Sequence, residues 1–449
     1  MTLDMTRGSP AKLILQFSLP LFIGNLFQQF YNMADTFIVG RTLGAGALAA
    51  VGCTGGLNFL VIGFAQGLAA GFSITTAQRF GAGDAEGVRR SFGCSAVLCG
   101  LATLVLTPLT VWGAPHILRM LHTPEDILPG AEGYIGVIFA GLGASMLFNL
   151  LASVLRAVGD SRTPLYFLIV ASALNVVLDI VFITRFHMGV AGAAWATVLA
   201  QLFSGALCIW YIARRFAQLH FKRDALRPAW PEAAAHLRIG FPMAFQYSII
   251  AIGAIVLQVA VNDLGSDAVA GFTTGDRLVN LFAQPLVSFG TTMATFAAQN
   301  YGAGDYLRIR KGMFQCLAMS TGYSLAAGAV SIAFGRPLAR VFLPGQEGVV
   351  ELAHTYLLIV GVAYWVLGAL FVCRLSLQGL GRSFAPTFAG VMELIMRSGA
   401  ALLLAGPLGF AGVCLAEPLA WAGSAVPLFI ALTLELRRLT ARQTIATRK

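Results

Sequence analysis

One short motif occurs twice in this chain of 449 residues, and its spacing decides the fold. The first copy is Gln78-Arg79-Phe80-Gly81-Ala82-Gly83-Asp84, and the second is Gln299-Asn300-Tyr301-Gly302-Ala303-Gly304-Asp305. Further pairs recur at the same offset to within one position: Pro20 with Pro242, Gly159 with Gly381, and Gly189 with Gly409. So many matches near one offset indicate two tandem copies of one structural unit.

The composition places both copies in a membrane. Of all residues, 57% are hydrophobic and only 11% are charged, whereas soluble domains carry about a quarter charged residues. A membrane-spanning helix needs roughly 20 mostly apolar residues. About twelve such stretches occur, at residues 14–40, 46–72, 91–113, 130–155, 163–185, 189–213, 237–262, 268–299, 312–334, 350–376, 384–406 and 409–434. We therefore predict an all-α integral membrane protein with twelve transmembrane helices in two six-helix lobes.

The charges predict the orientation of this protein. An even number of spans per copy makes the copies parallel repeats, related by an axis along the membrane normal. With both termini in the cytoplasm, most of the 30 Lys and Arg residues fall on the cytoplasmic side, as the positive-inside rule requires. The net charge of +10 is therefore topogenic, and we expect no nucleic-acid partner. The polar segment 214–235 is predicted to be a cytoplasmic linker between an N-terminal lobe, 1–213, and a C-terminal lobe, 236–449.

Two acids inside apolar stretches of the first copy are candidate functional residues, because intramembrane charges are costly. Asp35 follows Pro20 on the same apolar stretch, and this proline should kink the helix. Asp179 lies one helical turn after Asn175 and on the same face, where the two form a set of hard oxygen ligands. Structural alternatives remain open for both acids: Asp35 could be wetted near the outer helix end, and Asp179 could join helices by a hydrogen bond.

The second copy acts as an internal control for these acids. The position equivalent to Asp35 falls near Val256 or Leu257, and the one equivalent to Asp179 falls near Ala400 or Ala401. If the acids served only general packing, the duplicate would be expected to keep at least one of them. The asymmetry favours a cation or proton site in the N-terminal lobe.

The second copy has ionisable residues of its own. Glu393 and Arg397 lie one helical turn apart with Glu first, which favours an ion pair within one helix. Glu417 occupies roughly the place that Thr197 holds in the first copy, and we expect it to line the second lobe. The spacing leaves open whether these residues are structural or bind substrate.

The motifs of several other functional classes are missing from the sequence. There is no Walker A pattern for ATP hydrolysis and no HExxH zinc motif. The seven cysteines lie in or beside apolar stretches without a CxxC pair, so we expect reduced thiols. We predict that the protein is not an enzyme and has no cofactor or resident metal. An integral-membrane enzyme would need a clustered catalytic or metal motif, and none is visible.

The chain resembles the multidrug and toxic compound extrusion (MATE) family over nearly its whole length, most closely the DinF-like branch. The matching residues are Pro20, Met33-Ala34-Asp35-Thr36, Gly40, Leu43-Gly44, both copies of the motif at 78–84, Asn175-Val176-Val177-Leu178-Asp179, 189–196 and Leu377-Gln378-Gly379-Leu380-Gly381. The resemblance implies a V-shaped, two-lobed fold that alternates between inward-open and outward-open states. It also implies export of organic, often cationic and aromatic, compounds in exchange for sodium ions or protons.

The resemblance assigns roles to individual residues. Asp35, Asn175, Asp179 and Thr197 match the polar cluster of DinF-like and archaeal members, with H+ or Na+ as the coupling ion, and Pro20 matches the proline where helix one bends. NorM-like and eukaryotic members place an essential acid in helix seven, but residues 246–261 contain none. We therefore expect ion coupling in the N-terminal lobe only.

These assignments define an expected mechanism. Ion occupancy of the cluster would bias helix one, hinged at Pro20, and change a central substrate cavity. That cavity is predicted to include Gln28, Tyr31, Asn32, Glu393, Arg397 and Glu417. We expect a monomer in the plasma membrane, surrounded by lipid. The main alternative is a flippase for lipid-linked oligosaccharides, whose cavity would need several cations to bind a pyrophosphate; only Arg277 and Arg397 lie well inside an apolar stretch, away from its ends.

Overall fold

A computed structural model describes residues 2–121, 123–220 and 228–446, so part of the predicted linker lies outside the described residues. The regular secondary structure of the described residues is helical. The α-helices are α1 Pro10–Leu43, α2 Ala45–Cys53, α3 Gly55–Gly81, α4 Ala85–Met120, α5 Leu128–Ala140, α6 Leu142–Ala157, α7 Arg162–Ile180, α8 Gly189–Arg215, α9 Trp230–Asn262, α10 Ser266–Gly302, α11 Tyr306–Phe342, α12 Glu347–Val362, α13 Tyr364–Gly379 and α14 Phe384–Ala446.

The helices are long and apolar enough to cross a membrane repeatedly. Among the described residues, eight helices meet this criterion alone, and up to ten spans result if α5–α6 and α12–α13 each form one bent span. α14 consists of two limbs that meet at Gly409, where the backbone leaves the helical conformation. Counting both limbs, together with the long helix α10, gives the predicted twelve crossings.

Two predicted spans, 130–155 and 350–376, are broken instead of continuous. α5 and α6 meet at 47°, and α12 and α13 meet at 53°. The breaks fall at Gly141 and Ala363, which are equivalent positions in the two copies. Because both copies bend at the same place, the bend is a property of the repeated unit. The residue type at Ala363 does not predict a break, since alanine is a good helix former.

The repeated motif forms the same turn in both copies, between α3 and α4 and between α10 and α11. Its second glycine takes a positive φ in each copy, 72° at Gly83 and 74° at Gly304, a conformation that costs glycine little. The aspartate that follows caps the next helix: Asp84 accepts a hydrogen bond from the Gly87 N–H, and Asp305 accepts one from the Arg308 N–H. Both copies of the motif therefore form the same turn and the same helix cap.

The chain forms two compact units that do not coincide with the two sequence halves. The first unit contains Met1–Asp4 and Ile23–Ser248, and the second contains Met5–Phe22 and Ile249–Lys449. The first limb of α1 therefore belongs to the second unit, and the first limb of α9 belongs to the first unit. Both transitions lie shortly after the repeated prolines, Pro20 and Pro242, which lack the N–H for an intrahelical bond. The predicted lobe boundaries at 213 and 236 stay a prediction.

Within the first unit, the first limb of α9 packs directly on the backbone of α3. A Cβ added to Gly71 would lie 2.5 Å from the Gly240 Cα, and one added to Gly67 would lie 2.6 Å from the Ala244 Cα. Ala244 joins a buried apolar cluster with Phe72 and residues of α4, α6 and α8. Small residues thus allow the close helix approach that gives packing energy in a membrane.

We expect Gly71→Ala to destabilise the protein. Its methyl group meets backbone atoms that cannot rotate away, and overpacking of this kind costs about 1–3 kcal/mol. The midpoint of thermal unfolding in detergent measures this loss. Gly100→Ala on α4 is the matched control, because nothing lies within 4 Å of its added Cβ. Equal midpoints for the two variants would contradict the close approach.

Candidate functional site

The predicted polar cluster forms inside the first unit. Asp35 comes from the second limb of α1, Asn175 and Asp179 from α7, and Thr197 from α8. Asp35 is 8% exposed, and Asn175 and Asp179 are fully buried. The alternative in which Asp35 is wetted at a helix end is therefore wrong for this structure.

Hydrogen bonds connect the neutral members of the cluster. The Tyr31 hydroxyl donates to Thr197 Oγ1 at 3.1 Å, and the Asn175 amide donates to the same oxygen at 3.5 Å. Thr197 thus joins α1 to α7 through α8. Tyr31, predicted to line the substrate cavity, lies in this cluster instead of apart from it. We call Tyr31, Asp35, Asn175, Asp179 and Thr197 the acidic cluster.

The two acids of the acidic cluster face each other. The carboxyl groups of Asp35 and Asp179 lie close enough to interact electrostatically. One oxygen of Asp35, Oδ1, is buried without a protein hydrogen-bond partner among the described residues. Adjacent carboxylates repel, and two of them are stable side by side when they share a proton in a hydrogen bond or when a cation bridges them.

Sequence reasoning missed one neighbour of these acids. Tyr134 on α5 is 7% exposed and lies close to Asp35 and Asp179. Its signal in the sequence is weak, because a tyrosine in an apolar stretch is usually a packing residue. It adds a second tyrosine hydroxyl to the surroundings of the two acids.

A second buried cluster, which we call the charge network, lies in the second unit. Glu393 accepts hydrogen bonds from Arg374 at 2.5 Å and from Arg397 at 3.0 Å. Arg397 also donates to Glu417 at 3.1 Å, and Arg374 donates to Ser424 at 2.8 Å. The four charged side chains are at most 13% exposed. Two positive and two negative groups therefore pair with one another away from water, and Asp276 on α10 lies within electrostatic range of Arg397 and Glu417.

Arg374 corrects the charge assignment made from the sequence. It lies near the end of an apolar stretch, so the positive-inside rule places it among the cytoplasmic charges. In the structure it lies on α13, 4% exposed, and pairs with Glu393. The predicted pairing of Glu393 with Arg397 is observed, but sequence spacing could not reveal that α13 supplies a second arginine.

The acidic cluster and the charge network occupy matching places in the two copies. Asn175 corresponds to Arg397, and Thr197 corresponds to Glu417, at the offset of the other repeated pairs to within one position. The Asn175–Thr197 contact of 3.5 Å thus recurs as the Arg397–Glu417 contact of 3.1 Å. The duplicated scaffold holds acid against acid in one copy and acid against base in the other.

The remaining predicted cavity residues are more exposed. Gln28 and Asn32 are exposed on α1. Two other ionisable residues, Asp276 and Arg277, lie on α10 and were not predicted to line the cavity. Asp276 accepts a hydrogen bond from Asn280 at 2.9 Å, and the adjacent Arg277 is exposed. That Gln28, Tyr31, Asn32, Glu393, Arg397 and Glu417 line one substrate cavity stays a prediction.

We expect Glu393→Gln to destabilise the second unit strongly. The change leaves Arg374 and Arg397 without their shared carboxylate, and breaking a buried ion pair costs about 3–5 kcal/mol. The thermal unfolding midpoint in detergent should fall clearly. Glu351→Gln is the matched control, since it removes one partner of an exposed pair with Arg336 at 2.8 Å, which water and salt screen. An unchanged midpoint for Glu393→Gln would show that the network does not stabilise the fold.

The chain matches known proteins over most of its length. A family model, MatE, matches residues 20–181 and 242–397, one segment in each copy. The "Probable multidrug resistance protein YpnP" of Bacillus subtilis is 29% identical over 379 residues, 84% of each chain. The "Probable multidrug resistance protein NorM" of Thermotoga maritima is 25% identical over 432 residues, 95% of this chain and 91% of that one.

A solved structure has the same fold. It is described as the outward-facing conformation of a multidrug resistance MATE family transporter, with a TM-score of 0.91, 24% identity and coverage of 97% of this chain and 98% of that one. The family model covers more than half of the residues and both copies. The chain therefore belongs to the multidrug and toxic compound extrusion family, whose members are membrane transporters and not enzymes, many of them multidrug resistance proteins.

Proposed function

We propose that this protein is an antiporter that exports organic, cationic or aromatic compounds in exchange for H+ or Na+, with coupling at the acidic cluster. The observation that supports the proposal is the buried pair Asp35 and Asp179 in the first unit. The transporter works by alternating access in the plasma membrane, as a monomer with both termini in the cytoplasm. It needs no cofactor.

Electrostatics makes the acidic cluster responsive to ions. Two ionised carboxylates in a low-dielectric interior repel strongly, so this pair is most stable when it holds a proton or a cation. The charge network in the second copy contains two arginines that pair with its glutamates, so its acids depend less on an external cation. Coupling is therefore assigned to the first copy.

The ligand types of the cluster suit either ion. The carboxylate oxygens of Asp35 and Asp179, with the side-chain oxygens of Asn175 and Thr197, are hard donors of the kind that bind Na+. The same pair of carboxylates can share one proton instead. Na+ and H+ therefore compete for one place, and each neutralises the repulsion between the acids.

Helix α1 connects ion occupancy to transport. Asp35 lies on the limb of α1 that belongs to the first unit, and Pro20 interrupts the hydrogen bonding of the same helix just before that limb begins. A change in charge at Asp35 changes the contacts of this limb with α7 and α8. We assign the hinge of this motion to Pro20, where the helix lacks one hydrogen bond.

Substrate binding is assigned to the exposed surface of the second limb of α1. Besides Gln28 and Asn32, this limb exposes Phe30 and Met33. Aromatic faces attract organic cations by about 2 kcal/mol when water is excluded. The flippase alternative gains no support, because the arginines Arg374 and Arg397 are already engaged by glutamates and are not available as a pyrophosphate site.

The test is coupled transport in liposomes by Asp35→Asn and Asp179→Asn. We expect both variants to bind a fluorescent cationic drug but to lose its gradient-driven transport, because a carboxamide neither releases a proton nor contributes a negative charge to Na+. Drug flux is measured with a pH gradient in sodium-free buffer and, separately, with a sodium gradient at equal pH. The gradient that drives the wild type identifies the coupling ion.

Asp263→Asn is the control for this experiment. Its carboxylate is exposed between α9 and α10, so the variant should transport like the wild type. Wild-type gradient-driven flux in both cluster variants would refute coupling at the acidic cluster.

A further inference from the structure

The repeated turn carries different surfaces in its two copies. In the first copy, Arg89 pairs with Glu86 at the start of α4. At the equivalent positions of the second copy, the arginine is kept as Arg310 but the glutamate is replaced by Leu307. The second copy thus retains the cation and loses the carboxylate that neutralises it.

The start of α11 also gains an exposed aromatic ring. Phe314 stands where the first copy has Gly93. Leu307 and Phe314 are each 53% exposed, and the Arg310 guanidinium lies 6.0 Å from the centre of the Phe314 ring. Lys311 is exposed beside them, and no acidic side chain of the described residues forms an ion pair with either cation. Basic and apolar groups therefore share one face of the helix.

The end of α14 adds further cations to the same place. The Gln443 side-chain oxygen accepts hydrogen bonds from the N–H groups of Tyr306 at 2.9 Å and Leu307 at 3.0 Å. This contact fixes the end of α14 against the start of α11. Three exposed arginines lie in the last two turns of α14 before Gln443, namely Arg437, Arg438 and Arg442.

The neighbouring acids are already engaged. Asp305 accepts a hydrogen bond from the Arg308 N–H, and Glu435 pairs with Arg382 at 2.9 Å. The N-terminus of α11 adds the positive end of a helix dipole. We call Leu307, Arg310, Lys311, Phe314 and the arginines 437, 438 and 442 the basic end of the second unit.

We propose that the basic end binds the headgroup of an anionic phospholipid in the cytoplasmic leaflet. The phosphate of the lipid pairs with Arg310 and Lys311, its acyl chains lie against Leu307 and Phe314, and the exposed arginines of α14 add positive potential at the same end of the unit. The combination of basic and apolar groups on one face is what a lipid at a membrane surface requires. The assignment to the cytoplasmic leaflet rests on the orientation in the proposed function.

The test compares binding of phosphatidylglycerol and phosphatidylcholine to the full-length protein in detergent micelles, by mass spectrometry of the intact complexes. The wild type should retain phosphatidylglycerol preferentially. Arg310→Gln with Lys311→Gln should weaken that binding about fivefold per removed charge. Arg90→Gln, the corresponding position in the first copy, should leave it unchanged.

A second variant tests the inference without removing a cation. Leu307→Glu restores the acid of the first copy, so it should neutralise Arg310 and weaken phosphatidylglycerol binding, while Leu307→Gln should weaken it less. Equal retention of both lipids by the wild type, equal loss in the Arg90 variant, or full competition by inorganic phosphate at the same concentration would overturn the proposal. Transport variants of the acidic cluster should keep the lipid preference, so failure of coupling and failure of lipid binding are separate results.

Discussion

The cost of holding charge inside a helical unit away from water governs the organisation of this protein. Both copies place polar side chains at equivalent positions, where Asn175 and Thr197 of the first copy match Arg397 and Glu417 of the second. In the second copy, two arginines pair with two glutamates inside the unit. In our proposal, the pair Asp35 and Asp179 of the first copy instead requires a proton or cation from outside. Duplication would then have supplied a common frame in which the first copy became the ion-responsive one.

Helices α1 and α9 each contribute one limb to each unit. In our proposal, this arrangement connects the acidic cluster of the first copy to the second unit. α1 carries Asp35 on one limb and contributes its other limb to the second unit, with Pro20 close to the transition. α9 repeats the arrangement, and its first limb is held against α3 by glycines that permit backbone contact. In our proposal, a local change of charge in the acidic cluster acts on a helix that both units share. The small residues that permit close helix contacts are therefore as important to this arrangement as the acids.

Much of this architecture was predictable from the sequence, because hydropathy and repetition are strong signals. The twelve apolar stretches, the motif at 78–84 and its copy, and the candidates Asp35, Asn175 and Asp179 depended on residue type and spacing, whereas Thr197 was assigned to their cluster by the family resemblance. The bend at Ala363 was not predictable, since alanine favours helix and tertiary packing decides the break. The burial of Arg374 was missed because a charge near the end of a span is usually cytoplasmic. Membership of the charge network depends on contacts between α13 and α14, which no spacing within one helix encodes.

Ion binding by Asp35 and Asp179 is tested most directly by the infrared spectrum of the purified transporter across pH, with and without sodium. A protonated carboxyl group absorbs separately from a carboxylate, so the spectrum reports which acids hold a proton. We expect a protonated-carboxyl band in sodium-free buffer that is lost in both Asp35→Asn and Asp179→Asn. Excess Na+ should weaken the band if the two ions compete for one place. A band that both variants retain unchanged would contradict the assignment of ion binding to the first copy.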